Sequence, residues 1–128
     1  MTSSFKKFAT MLMLLIFSFR CFFSYFIEVG LYSFAYIPAI ICGLGMVANS
    51  FIYLINDSEY LPLYDTGFRF HFATYFIWNL VSELWFLIGF NSSFEKIYIV
   101  HKIVIIWGGL ILIHFIYYQN ARKKSNEK

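Results

Sequence analysis

The stretch "RFHFATYFIWN", residues 69–79, decides how this chain is read. It is apolar enough for hydrocarbon, yet it places polar side chains at fixed intervals. His71, Tyr75 and Asn79, with Glu83 one turn further on, occupy every fourth position. On a helix that spacing makes one ridge, so all four point toward a single neighbour rather than around the cylinder. Trp78 and Ser82 flank the same face. Polar groups in hydrocarbon are costly and normally turn into the bundle, where they find partners. The ridge is therefore read as an interhelical packing seam, held by hydrogen bonds between helices.

Composition supports hydrocarbon as the surroundings. The chain is 60% hydrophobic and 13% charged, whereas a water-soluble domain carries about 25% charged residues. A soluble fold of 128 residues could not hide that much apolar surface. The expected fold class is all-α integral membrane. Four apolar runs, at about 8–27, 34–55, 70–90 and 97–118, each approach the roughly 20 residues a helix needs to cross a bilayer. The short turns "EVGLYS" and "NSSFEK" join the runs in pairs, giving four transmembrane helices as two tandem helical hairpins. Residues 1–56 make the first hairpin and 69–128 the second, with its basic tail. A cytoplasmic linker, 57–68, contains Pro62 and Gly67, which stop helices. Lys6 and Lys7 precede an apolar run without a small-residue cleavage site, which predicts a retained anchor rather than a signal peptide.

Most of the positive charge lies at the two tails and the linker: Lys6, Lys7, Arg69, Arg122, Lys123, Lys124 and Lys128. The positive-inside rule then puts both termini in the cytoplasm, in a bacterial inner membrane. The net charge of +3 is spread too thinly to suggest nucleic acid. Cys21 and Cys42 fall inside apolar runs, outside any C-x-x-C pair, and read as buried thiols. The halves also resemble each other at an offset of 64 residues, with "FAT" at 8–10 and 72–74 and "FIY" at 51–53 and 115–117. That diagonal suggests a duplicated hairpin whose copies share one orientation.

"FRFHFATYFIWN", a polar turn and then "WGGLILIH" together resemble the two-transmembrane (2TM) domain family of small bacterial proteins. The pattern of its first helix is matched by Arg69, His71, Tyr75 and Asn79, and that of its second by Trp107, Gly108 and His114. Gly109 and Leu110 each stand one position earlier than in the family pattern. The first half of this chain lacks the signature, with Lys7 and Ser50 where His71 and His114 would align. The resemblance covers about residues 65–124. It implies a membrane hairpin without established chemistry, in a family that sometimes accompanies sensor-type signalling proteins.

His71 opens the third run and His114 closes the fourth, so an antiparallel pair brings both imidazoles to one level near the cytoplasmic face. Two facing histidines could ligate a haem iron, but no third ligand or attachment motif accompanies them, and no cofactor or metal is expected. Three charges lie deeper: Arg20, Glu83 and Lys102. Each is a functional candidate, since an unpaired charge at mid-membrane costs at least ~2.5–3.5 kcal/mol. The 64-residue offset puts Glu83 level with Phe19 and so predicts an ion pair with Arg20. Lys102 is expected to snorkel outward. No nucleophile–base pair, metal triad or phosphate loop can be assembled, so the chain is expected to be no enzyme. The expected function is a regulatory or scaffolding partner of a membrane complex, such as a signalling one, with a membrane protein or a homo-oligomer as partner. The alternative is a small transporter or channel using Arg20, Glu83 and Lys102.

Overall fold

The computed structural model describes residues 3–58 and 62–127. Residues 59–61 of the expected linker and Lys128 of the expected basic tail lie outside the described residues. The architecture is all-helical: α1 (Ser3–Glu28), one turn of 3-10 helix at Tyr32–Phe34, α2 (Tyr36–Ser58), α3 (Leu63–Ile88) and α4 (Ile97–Asn126). Among the described residues there is no strand.

α1 and α3 end in the same way. Gly30 and Gly89 take left-handed backbone conformations, with φ of 77° and 82°, which side chains with a Cβ rarely adopt. Behind each glycine the chain folds back on its helix: Leu31 N–H donates to the Phe26 carbonyl at 2.8 Å, and Phe90 N–H to the Trp85 carbonyl at 3.1 Å. This is the Schellman arrangement, which satisfies carbonyls the helix end would orphan.

The other junction departs from expectation. Pro62 and Gly67 were to hold a non-helical linker open over 57–68, yet α2 continues to Ser58 and α3 already begins at Leu63. Pro62 acts as a helix starter, because a residue whose N–H is missing loses nothing at a helix's first turn. Its carbonyl accepts the Asp65 N–H, the Thr66 N–H and the Thr66 hydroxyl at 2.8–3.1 Å. Gly67 lies inside α3, where a Cβ would meet nothing within 4 Å. α1 and α3 are both 26 residues long.

The core lies between α1 and α3. Phe8, Leu12, Ile16 and Phe19 form the buried stripe of α1, and Phe70, Ala73, Ile77 and Val81 that of α3. Phe8 and Phe70 meet with ring centroids 4.6 Å apart. α2 packs along α1 and α3. Asn49 ties it down by donating to the Phe8 carbonyl at 3.1 Å. Gly45 makes room for Leu15, whose Cδ2 lies 2.8 Å from where a Cβ would stand. Cys42 is buried here and Cys21 half-buried, both as free thiols. Among the described residues, α4 packs against α3 and no other helix.

Apolarity and enclosure run in opposite directions. Three stretches, Ser3–Glu28, Tyr32–Asn56 and Ile97–Asn126, are long and apolar enough to cross a membrane. α4 holds the most apolar window of the three and the least covered, with 11% of it buried against 28% for α1. α3 is long enough but falls short in apolarity, because it carries Asp65, Arg69, His71, Asn79 and Glu83. It is also the helix that touches all three others. A helix whose neighbours are protein can hold polar groups that find partners there.

Candidate functional site

The every-fourth-residue ridge of α3 faces α4, and its members meet different fates. At the level of His71, three rings form a chain of hydrogen bonds. The Trp107 indole N–H donates to His71 Nε2 at 2.9 Å, and His71 Nδ1 lies 2.9 Å from His114 Nδ1. An indole nitrogen only donates, so His71 Nε2 must be bare. The proton of a neutral His71 then sits on Nδ1 and is given to His114, whose own proton moves to Nε2. Tautomers and direction are thereby set along Trp107, His71 and His114. Aromatic rings close around the chain: Phe68 stands edge-on to His114 and Tyr75 edge-on to Trp107, with centroids 5.6 and 5.7 Å apart.

This geometry is unsuited to a bound iron. Two imidazole nitrogens on opposite sides of one metal ion stand about 4 Å apart, given bonds of about 2.0–2.1 Å. The Nδ1 pair is closer than that, and Trp107 occupies the remaining nitrogen of His71. Among the described residues, no group of three His, Cys, Asp or Glu side chains is placed to hold a metal ion.

One turn along, Tyr75 donates its hydroxyl to the Val104 carbonyl of α4 at 3.3 Å. Gly108 lets it do so, since a Cβ there would come 3.0 Å from the Tyr75 oxygen. Asn79 turns back instead and donates to the Tyr75 carbonyl of its own helix at 2.8 Å. Arg69 leaves the seam, pairing with Asp65 one turn away on α3 at 2.9 Å with half its side chain exposed. Of the seven motif residues, then, His71, Tyr75, Trp107, Gly108 and His114 meet at the α3–α4 contact.

The three deep charges do not converge. The expected ion pair between Arg20 and Glu83 is corrected: Arg20 Nη1 lies 3.3 Å from Glu95 Oε1, and Nη2 donates to Ser82 Oγ at 2.7 Å. Glu83 contacts His101 Nε2 on α4 at 3.0 Å. The expected depth was nearly right, but successive helical residues point about 100° apart. Ser82 therefore meets α1 while Glu83 faces α4. Lys102 is exposed, and its ammonium lies 5.1 Å from the Tyr98 ring centroid, one turn toward the start of α4.

Around Arg20 a second polar cluster joins α1, α3 and the α3–α4 loop. Ser24 donates to Glu95 Oε2 at 2.6 Å, and the Trp85 indole N–H donates to Ser24 Oγ at 2.9 Å. The Ser92 N–H also reaches Glu95 Oε2, at 2.8 Å. Glu28, the last residue of α1, accepts the Ser92 hydroxyl at 2.7 Å and the Ser93 N–H at 2.8 Å. Arg20, Ser24, Ser82 and Ser92 are all buried. Two carboxylates thus clamp the loop between α3 and α4 onto the end of α1. Glu28, Glu95 and His101 were not singled out from sequence, where the first two read as turn residues.

In comparisons with known proteins, no family model, curated sequence or solved structure matches this chain.

Proposed function

We propose that this chain is a multi-pass membrane protein whose four helices cross the bilayer as two hairpins with cytoplasmic ends, in a bacterial inner membrane. It performs no chemistry of its own; it is a regulatory or scaffolding subunit that docks onto a membrane partner. The observation that carries this reading is the inverse relation between apolarity and enclosure. α4, which holds the most apolar of the three membrane-length stretches, packs along α3 alone among the described residues. Ile105, Ile106 and Ile113 on α4 are 66–74% exposed. Such a helix has hydrocarbon or another helix for its natural neighbour. The gathering of His71, Tyr75, Trp107, Gly108 and His114 at one contact supports the 2TM resemblance as a packing signature. The alternative of a transporter is weakened by the separation of its three charges. Arg20 is engaged by Glu95, Glu83 by His101, and Lys102 lies beside Tyr98.

Topology and docking are tested separately. Reporter fusions at Asn91 and at Lys128 report opposite faces of the membrane; finding both on one face ends the four-span reading. A photo-crosslinking residue at Ile106, introduced in living cells, gives a protein adduct of one size. The same residue at Leu44 on α2 serves as the comparison. Lipid adducts alone at both positions end the docking reading.

A further inference from the structure

One end of the α3–α4 seam opens onto the outside of the bundle. Glu83 and His101 hold each other at 3.0 Å, yet their side chains remain 42% and 54% exposed. Glu83 stands five residues before the end of α3 and His101 four after the start of α4, which is about 6–8 Å inside the helix ends. A helix as long as α3 measures about 39 Å against a hydrocarbon core of about 30 Å, so this level lies just within the core. The surface around the pair is apolar. Helical spacing puts Leu80 and Leu87 beside Glu83, and Ile105 beside His101, all between 41% and 81% exposed. Polar side chains at membrane depth normally face protein rather than lipid.

We propose that this face docks a second copy of the same chain, with Glu83 of each copy reaching His101 of the other. The proposal rests on the membrane-docking reading above and names its partner. A two-fold axis along the membrane normal leaves every residue at its own depth, and the interface it makes must be complementary to itself. An acceptor and a donor held side by side at one level meet that requirement. Two such pairs brought face to face exchange partners, carboxylate to imidazole in both directions. The flanking Leu80, Leu87 and Ile105 then lie against their counterparts.

The test uses the full chain, fluorescently labelled and reconstituted at high dilution into phosphatidylcholine vesicles. Wild-type protein is expected to float with the vesicles and to bleach in two steps. Glu83→Lys replaces the carboxylate that His101 of the other copy would meet with an ammonium, and His101→Glu sets anions beside anions. Each variant alone is expected to lose at least about tenfold in dimer affinity, equivalent to about 1.4 kcal/mol. Mixing the two variants restores pairing, because the lysine of one then faces the glutamate of the other. Helical content by circular dichroism reports that each variant is folded. A second measurement leaves the charged pair intact: Leu80→Cys or Ile105→Cys, in a Cys21→Ser background, forms an oxidative crosslink to its twin, whereas Leu44→Cys on α2 does not. One-step bleaching of floating wild-type protein, or no rescue on mixing, overturns the dimer and leaves the membrane reading standing. Wild-type protein that fails to float overturns both.

Discussion

The indole of Trp107 donates to Nε2 of His71, and this single bond dictates the state of two histidines. His71 can accept from Trp107 only while it is neutral with its proton on Nδ1. In labelled protein, the ¹⁵N resonances should show His71 Nε2 and His114 Nδ1 bare. Trp107→Phe should free His71 to change tautomer while costing about 0.6–1.7 kcal/mol, the range for interhelical hydrogen bonds in membranes. A wild-type His71 protonated on Nε2 would contradict the bond.

Haem provides an independent check on the same rings. With the two Nδ1 atoms 2.9 Å apart, adding haemin to purified protein should give no Soret band sensitive to these residues. A band present in the wild type and absent from His71→Gln/His114→Gln would mean that the pair opens to admit iron.

Arg20 and Glu95 form a buried ion pair, with 8% of each side chain exposed. Removing either partner strands the other charge, at a cost of ~3–5 kcal/mol. Arg20→Ala and Glu95→Ala should each cause a severe loss of folded protein, measured as helicity against denaturant in mixed micelles. Arg20→Met with Glu95→Leu should recover most of it. Glu83→Ala should be far milder, and equal damage from Glu83→Ala and Glu95→Ala would restore the pairing expected from sequence.

Adjacent glycines on α4 should respond differently. A Cβ on Gly108 meets the Tyr75 oxygen at 3.0 Å, whereas one on Gly109 meets nothing within 4 Å. Gly108→Ala should cost about 1 kcal/mol through the displaced Tyr75 bond, and Gly109→Ala should stay within about 0.5 kcal/mol of wild type. Because the phenol end is what must move, Gly108→Ala should cost less in a Tyr75→Phe background. Equal thermal shifts for the two alanine variants would remove the close approach at Gly108.

The loop clamp can be read amide by amide. Ser93 N–H is held by Glu28 and Ser92 N–H by Glu95. Glu28→Gln should speed hydrogen exchange at Ser93 more than at Ser92, and Glu95→Gln should do the reverse. Indistinguishable rates in both variants would mean the loop is held by something else.

Local pattern carried most of the fold. Run length and apolar composition located the helices to within several residues, and the four-residue spacing of α3 correctly oriented His71 and Tyr75 toward α4. The failures share a cause: each depended on contacts between distant segments. In sequence Glu28 and Glu95 read as turn residues, where acids normally face water, and nothing local indicates that the α3–α4 loop folds onto the end of α1. The 64-residue offset put Glu83 near the depth of Arg20 but not on its face; one residue's rotation about the helix is enough to hand the bond to Ser82. Pro62 and Gly67 were read as breakers because both residues disfavour helix interiors, but one stands at a helix start and the other is tolerated within α3.

The Arg20–Glu95 bond spans 75 positions of the chain, and this has a bearing on biogenesis. In a chain inserted as proposed, α1 and α2 reach the bilayer before Glu95 has left the ribosome. For that interval Arg20 has neither its carboxylate nor Ser82, and the nascent first hairpin carries a bare cation below the membrane surface. The insertion machinery, or water drawn in beside the arginine, must shield it until the second hairpin arrives. A message truncated after Ser58 should therefore yield a product that is degraded or held at the insertase, even though both of its helices are apolar enough to partition into lipid.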